Sequence, residues 1–442
     1  MSLAPPIRED PIPGPSGTLL HAVYDLVWFG AFACVAPPLW WRSRREPAIA
    51  RFMRERMAVE PFEPGDERGV VLIHAVSVGE VKGIRSVVER LERERPDLEV
   101  VLSTTTSTGA EVARSTFPGR RVVRFPTDWS RVVRRFFERL QPVAVVLVEL
   151  EVWPNFLREA NRRGVPLAVV NGRITERSFG RYKLFHRLFP QFDRISLFCV
   201  QNETYAERFL ELKVDPTRVV VTGNVKIDGL ATGRIDPGEE LTRLLAAPDG
   251  RPLVVAASTH DPEERACCEG WVRHAPGTRL VLVPRHPDRV DVLVGELAAA
   301  GHRVQRLTEL RGGALPDPDV PVIVDTIGEL ERVFGLADVA FVGGSLIPHG
   351  GHNVLEPAAQ GVATVTGPHT VNFRQEVALL REVDALVQAE DADAAWSAVG
   401  GLVKDPDRRA AMATAARAAI DRQGGATELT WRALVESCLP PA

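Results

Sequence analysis

A chain of 442 residues, 45% hydrophobic and 25% charged, has the make-up of a soluble globular protein, and its length points to two domains of about 150–200 residues each. Its formal net charge of −4 leaves no electrostatic footprint of a nucleic-acid binder, so nucleic acid is excluded as an expected partner. Cys34, Cys199, Cys267, Cys268 and Cys438 form no CxxC pair and no Cys/His cluster at metal spacing; they read as scattered small apolar residues in a reduced, intracellular protein.

The chain opens with a Pro-rich stretch, PPIREDPIPGPSG, read as a flexible extension over residues 1–18. Leu19 to Trp41 follows as LLHAVYDLVWFGAFACVAPPLWW, uncharged from Leu26 onward and closed by RSRR. A full membrane span needs about 20 apolar residues, and this one is interrupted by His21, Asp25 and Pro37-Pro38. No small-residue cleavage site comes after it, so a retained anchor is expected rather than a removed signal peptide. Trp40 and Trp41 beside Arg42, Arg44 and Arg45 suit a cytoplasmic membrane boundary. Residues 19–45 are therefore read as a membrane anchor or interfacial helix, the alternative being a helix packed against the body of the protein.

From Gly69 strand and helix patterns alternate. GVVLIH, LEVVLSTTT, RVVRFP, PVAVVLVEL, PLAVVNG, ISLFCVQ and RVVVTGNV are the strand candidates of a first domain, residues 46–230, with helical segments between most of them. Glycines and prolines then mark a linker at 231–250. A second domain, 251–442, restarts the alternation with PLVVAAST, TRLVLVPRH, HRVQRL, PVIVDT, DVAFVGGS and GVATVTGP, and its terminal helix near Glu428–Ser437 is a candidate to cross back to the first. The pattern predicts an α/β protein with two doubly wound, Rossmann-like parallel sheets and a cleft between them, ligands lying outside the carboxyl ends of the strands.

The polar motifs fall at those strand ends. After GVVLIH come Ala75-Val76-Ser77-Val78-Gly79-Glu80, with Glu80 at or near a helix N-terminus; the helix dipole there is expected to keep its carboxylate ionised and able to accept a proton. PVAVVLVEL runs into Glu149 and Glu151, which strand alternation would point to the same side. Asn171, Arg173 and the Glu176-Arg177-Ser178 run follow PLAVVNG, and either hold substrate or cap a helix. In the second half Ser258 and His260 follow one strand, Arg285 and His286 another, and Ile327, Gly328 and Glu329 a third. The loop FVGGSLIPHGGHNVLEP sets Gly343, Gly344 and Ser345 after a buried strand and leads through Asn353 to Glu356 at a helix start. Bare backbone in such a loop suits an anion, and Glu356 suits two ribose hydroxyls, so this half reads as a site for a nucleotide with an anionic linkage. There is no Walker motif, no GxGxxG after the first strand, and no HExxH or DxD-like cluster to suggest a dinucleotide cofactor or an essential metal.

Taken together, HAVSVGE, ELEVWPN, NGRITERS, GNVKID, ASTHDPEE, VPRHPDR, DTIGEL and GGSLIPHGGHNVLEPAAQGVATVTGPHTVNF resemble the bacterial Kdo transferases, which attach 3-deoxy-D-manno-octulosonic acid (Kdo) from CMP-Kdo to lipid A precursors. The resemblance covers nearly the whole chain from about residue 19. It implies a two-domain glycosyltransferase of the GT-B type, inverting and metal-independent, without a cofactor, at the cytoplasmic face of the inner membrane. It further implies Glu80 as catalytic base, a catalytic contribution from Glu149 or Glu151, and substrate contacts from Ser77, Gly79, Asn171, Arg173 and Lys226 in the first half. On the nucleotide side it points to Ser258, His260, Arg285, His286, Ile327, Gly328, Glu329, Gly343, Gly344, Ser345, Asn353 and Glu356. ELE stands where the family more often has ETE, and the N-terminal extension has no counterpart in that pattern. A related GT-B epimerase or another lipid glycosyltransferase would share the nucleotide half without needing HAVSVGE, ELEVWPN or an anchor.

Overall fold

The computed structural model describes residues 15–59, 62, 65, 67–188, 190–230, 232–247 and 249–441. Residues 1–14 of the expected extension, and 231 and 248 of the expected linker, lie outside the described residues. The chain forms two compact units, one of residues 1–229 with 423–442, the other of residues 230–422.

The first unit holds seven strands: β1 (Gly69–His74), β2 (Leu98–Thr104), β3 (Val122–Arg124), β4 (Pro142–Val148), β5 (Leu167–Gly172), β6 (Leu197–Val200) and β7 (Val219–Val221). They pair in parallel in the order β3-β2-β1-β4-β5-β6-β7. The inner strands are continuous runs of Val, Leu and Ile because both faces of the sheet are covered. Leu72, Val145, Leu147 and Val169 pack on one face with Phe136, Phe137, Phe156 and Phe209, while Val71, Ile73, Val146 and Val170 pack on the other. The C-terminal helix Ala426–Ser437 covers that second face with Trp431 and Leu434, so the end of the chain completes the core of its first half. Each such side chain contributes about 1.5–3 kcal/mol by leaving water.

The second unit repeats the plan with β8 (Leu253–Thr259), β9 (Arg279–Pro284), β10 (Gln305–Arg306), β11 (Val322–Ile323), β12 (Val339–Val342), β13 (Ala363–Thr366) and β14 (Leu386–Gln388). The order is β10-β11-β9-β8-β12-β13-β14, all parallel. The expected linker contains a helix, Gly238–Leu245, because Leu241, Leu244 and Leu245 recur at helical spacing and bury themselves against Val255 and Val281.

In the first sheet the chain winds outward in both directions from the central pair β1 and β4; in the second the connections diverge likewise from β8 and β12, except that β10 takes the edge and β11 returns between it and β9. These are the topological switch points, where the connections diverge and leave a crevice at the strands' carboxyl ends. Glu80 follows β1, Glu149 and Glu151 follow β4, His260 follows β8 and the glycine loop follows β12.

The hydrophobic N-terminal segment forms the helix Pro15–Ser43. Among the described residues no helix is long and apolar enough to cross a membrane. The polar residues that interrupt its sequence tie it to the first unit: His21 Nδ1 lies 2.9 Å from Asn155 Oδ1, Asn155 Nδ2 donates to Asp25 Oδ1 at 2.8 Å, and Asp25 also accepts from the backbone N–H of Ser130 at 3.1 Å.

Candidate active site

Glu80 lies in the first turn of the short helix Val78–Gly83, where Ser77 caps the start. Its carboxylate accepts from Val76 N at 2.8 Å through one oxygen and from Ser77 Oγ at 2.8 Å through the other, so both oxygens are aimed before any ligand arrives. Burial pushes its pKa above the usual carboxylate range, Glu149 adds to the rise, and the two hydrogen bonds and Lys226 oppose it. Desolvation and a like charge thus act on Glu80 against the helix start, and the group holds a proton more firmly than an ordinary glutamate.

Strand β4 ends at Val148, and Glu149 takes a left-handed backbone conformation, φ 62°. Strand alternation therefore does not extend to Glu149 and Glu151, yet both carboxylates come close enough to Glu80 to perturb it or be perturbed by it. Glu151 accepts from Trp153 Nε1 at 2.7 Å; burial, with help from Glu80 and Glu149, pushes its pKa up to about 7. Glu149 instead meets a cation, with Lys226 Nζ 2.5 Å from its Oε1. Three carboxylates and one ammonium thus gather at the β1/β4 switch point.

Lys226 sits in the turn Val225–Asp228, which several residues hold in place. Asn171 is fully buried at the end of β5, and its Oδ1 accepts from Val225 N at 3.2 Å. It therefore orients the lysine's turn from within the fold, where the resemblance implied a substrate contact; its backbone is left-handed, φ 59°. Asn224 Oδ1 accepts from Lys226 N at 3.1 Å, and Asp228 accepts the N–H groups of Gly425 and Thr427, fastening the C-terminal helix to the same turn. Gly83 matters for a different reason: a Cβ there would lie 2.4 Å from Lys226 Cγ, so the lysine stem crosses the helix where no side chain stands. Ser77 and Gly79 are exposed beside Glu80, with open space over Gly79, and Arg173 is half-buried just after β5. Sequence spacing gave no signal for Gly83 or Asp228.

In the second unit the start of the glycine loop serves an internal carboxylate. The buried carboxylate of Glu263 accepts four backbone N–H groups: Gly344 at 2.6 Å, Leu346 at 2.8 Å, Ser345 at 2.9 Å and His260 at 3.0 Å. The N–H donors of Gly344 and Ser345, expected to meet the anion of a nucleotide, are thus occupied by an internal anion. Ser345 is itself buried, its hydroxyl donating to Val342 O at 2.6 Å and accepting from Gly367 N at 2.9 Å, so it is structural and not an open contact. Gly343 is required by close approach, since a Cβ would lie 2.8 Å from Thr259 Cα and 2.9 Å from Glu263 Oε2.

What this latch brings together is imidazole. His260 Nε2 lies 2.8 Å from His352 Nε2, and the His349 ring centroid is 4.2 Å from that of His260. Burial and the neighbouring rings and arginines push the pKa of His260 down to about 4 and that of His352 to about 3, so both are neutral at neutral pH. His286 stands edge-on to His260 at 5.5 Å between centroids, exposed like Arg285, whose N–H bonds Thr259 O at 2.9 Å. The Ser258 backbone is left-handed, φ 53°.

Farther along the strand ends, Ile327 is 80% exposed and Gly328 has φ 93°, while Glu329 pairs with Arg311 at 2.8 Å and Arg332 at 3.2 Å. A solvent-exposed isoleucine on a glycine turn offers an apolar plate for a flat ring. Asn353 Nδ2 donates to Glu356 Oε1 at 3.1 Å and its Oδ1 accepts from Leu355 N, so these two nucleotide-side candidates form one hydrogen-bonded pair. Of the sequence-derived candidates, then, Ser258, His260, Arg285 and His286 gather near the β8 end, and Gly343, Gly344 and Ser345 support them from within.

A model of the 3-deoxy-D-manno-octulosonic-acid transferase (kdotransferase) family matches residues 51–229. The chain is 33% identical over 372 residues to the 3-deoxy-D-manno-octulosonic acid transferase of Haemophilus influenzae, covering 81% of this chain and 84% of that one. It is 32% identical over 439 residues to the transferase of the same name from Bordetella pertussis, covering 94% and 98%. Among solved structures it is similar to a UDP-N-acetylglucosamine 2-epimerase, TM-score 0.57 at 14% identity over 84% of this chain and 95% of that one. A glycosyltransferase from Rickettsia africae gives TM-score 0.52 at 11% identity over 83% and 96%. At such identities the structural likeness speaks for the fold alone, the two-sheet α/β plan of the GT-B class.

Proposed function

The chain belongs to the 3-deoxy-D-manno-octulosonic acid transferase family and is a glycosyltransferase, and we propose that it moves Kdo from CMP-Kdo to a lipid A precursor in lipopolysaccharide biosynthesis, releasing CMP. The observation that carries this reading is the gathering of Glu80, Glu149, Glu151 and Lys226 at the first switch point. Glu80 takes the proton from a primary hydroxyl of the acceptor as that oxygen attacks the anomeric carbon of Kdo with inversion. Its raised pKa suits a base that must bind a proton firmly in the transition state, and its two hydrogen bonds hold the receiving oxygens still. The Lys226–Glu149 pair fixes a cation beside the acidic cluster, which opposes the rise that burial and like charge bring to Glu80. Arg285 and the strand-end loops of the second unit receive the nucleotide, with Ile327 against the base and the Asn353–Glu356 pair on the ribose.

Location at the cytoplasmic face of the inner membrane belongs to the same proposal. The helix Pro15–Ser43 leaves Leu19, Val23, Leu26, Val27 and Phe29 exposed while His21 and Asp25 face the protein, and Arg45 stacks 3.7 Å from the Trp41 ring centre. An apolar face with aromatic and cationic residues at one end suits a helix lying in the interface.

The test is transfer of Kdo from CMP-Kdo, generated in situ, to a tetra-acylated lipid A precursor in detergent, with product mass recorded. Glu80→Gln is expected to lose about 10²–10⁴-fold in rate while remaining folded. Full transfer by that variant would remove the base assignment, and no transfer by the wild type would remove the acceptor or the donor.

A further inference from the structure

We infer that His260, His349 and His352 form a binding site for one divalent transition-metal ion of the zinc class. The coordinating nitrogens of the three rings all lie within 4.8 Å of one another. Tetrahedral Zn²⁺ with bonds of about 2.0–2.1 Å sets its ligand nitrogens about 3.3 Å apart, so small ring movements bring the set to coordinating distance. A single proton between His260 Nε2 and His352 Nε2, 2.8 Å apart, pairs two of the rings, and a metal ion in its place draws on the exposed His349 as a third ligand. A set of three imidazoles with no carboxylate favours Zn²⁺, Co²⁺, Ni²⁺ or Cu²⁺ over Mg²⁺ or Ca²⁺.

The site is built rather than accidental. Glu263 ties the backbone of His260 and that of residues 344–346 to one carboxylate, which fixes the two chain segments against each other. Gly344, at φ 63°, leaves room for the His352 ring, which a Cβ would meet at 2.8 Å. Asn372 Nδ2 donates to His349 O at 3.0 Å, and Gly351 N donates to Gly344 O at 2.8 Å, closing the loop that presents His349 and His352. Such outer contacts are what hold metal ligands to their geometry. His349 is exposed and gives the ion an entry path, and three protein ligands leave the fourth position open. With Arg285 among the charges that act on His260 and His352, that position suits an anionic oxygen, phosphate or carboxylate. The 92 residues between His260 and His352 explain why no sequence motif announces the site. Its test reads bound metal and not transfer, so it succeeds or fails separately from the reaction proposed above.

Tag-free full-length protein, stripped with EDTA and desalted, is dialysed to equilibrium against Zn²⁺ alone and the bound metal measured. About one ion per chain is expected, with occupancy reduced tenfold or more in His349→Ala and His260→Ala and unchanged in His302→Ala, which lies elsewhere on the unit. His349 is exposed, so its variant tests the ligand without threatening the fold, and circular dichroism checks both. Reconstitution with Co²⁺ is expected to give the visible absorption of a tetrahedral site, again lost in His349→Ala. Sub-stoichiometric binding by the wild type, or zinc binding that His349→Ala leaves unchanged, overturns the assignment.

Discussion

Lys226 carries its aliphatic stem over Gly83 and brings Nζ to 2.5 Å from Glu149 Oε1. Two residues far apart in the chain therefore depend on an empty position in a third element. Alanine at an interior helix position is ordinarily better than glycine by about 1 kcal/mol. At position 83 its Cβ would instead push the lysine off its path, with the contact at Cγ near the root of the side chain, where there is little slack. Gly83→Ala is expected to cut Kdo transfer tenfold or more with little change in thermal stability, as Lys226→Met would. In a Lys226→Ala background the clash is gone, and the same substitution is expected to have no further effect. A double-mutant cycle on kcat/KM measures this, and additive losses would show that Gly83 acts by another route.

The acidic cluster makes stability and pH run in an unusual direction. Burial raises the Glu151 carboxyl from an ordinary glutamate's 4.5 to about 7 in the folded state. Between those two values the native protein binds more protons than the unfolded chain, so this residue lowers stability as pH rises from about 4.5 to 7, the reverse of a salt-bridged carboxylate. Glu151→Gln removes the titration. Its melting temperature is expected to gain on wild type as pH rises from 5 to 8, by about 2–4 °C per kcal/mol for a unit of this size. A difference that stays constant across that range, followed by differential scanning calorimetry, would mean the carboxyl titrates normally.

Catalysis should show the same charges from the other side. Glu80 works as a base only when deprotonated, and its pKa is raised by burial first and by Glu149 second. The rate of Kdo transfer is therefore expected to climb with pH on an acidic limb above the ordinary glutamate range. Glu149→Gln removes the like charge but also frees Lys226, and both changes favour the ionised base. The limb is expected to move to lower pH in that variant even though the maximal rate falls. A limb left in place would assign it to a group other than Glu80.

How far the sequence revealed this molecule can be followed residue by residue. Every stretch named as a strand candidate contains a strand, the inner ones because buried parallel strands are continuous runs of Val, Leu and Ile; HRVQRL yields only the two-residue edge strand Gln305–Arg306. The three-residue strand Leu386–Gln388 escaped, being too short to show a period. LTRLL within a Gly/Pro-rich stretch was read as linker although its leucines recur at helical spacing. At the sites, position was legible and environment was not. Glu80 announces itself just after a strand, but its raised pKa comes first from the burial that folding imposes and second from Glu149 brought alongside, neither of which a local pattern records. The glycine loop looked like a ligand cradle because local chemistry cannot show that Glu263, 81 residues before Gly344, already occupies it.

That occupancy predicts the stability of the second unit. Four backbone N–H groups point at the Glu263 carboxylate, which is 1% exposed, and those of Gly344 and Ser345 do so in buried bonds. Glu263→Gln keeps the shape but replaces one acceptor oxygen with an NH₂ group that faces donors. Leaving one or two buried donors unsatisfied costs about 1–3 kcal/mol each, and a charged acceptor is lost as well. The variant is expected to lose about 2–4 kcal/mol on this basis, and its loss should be local. Hydrogen exchange should accelerate at the amides of Gly344, Ser345 and Leu346 while β1 and β4 in the other unit keep their protection. Because the same carboxylate fixes His260 against the loop, zinc binding at the three histidines should weaken in parallel. Wild-type protection of those three amides in Glu263→Gln would show that the loop is held by something other than this carboxylate.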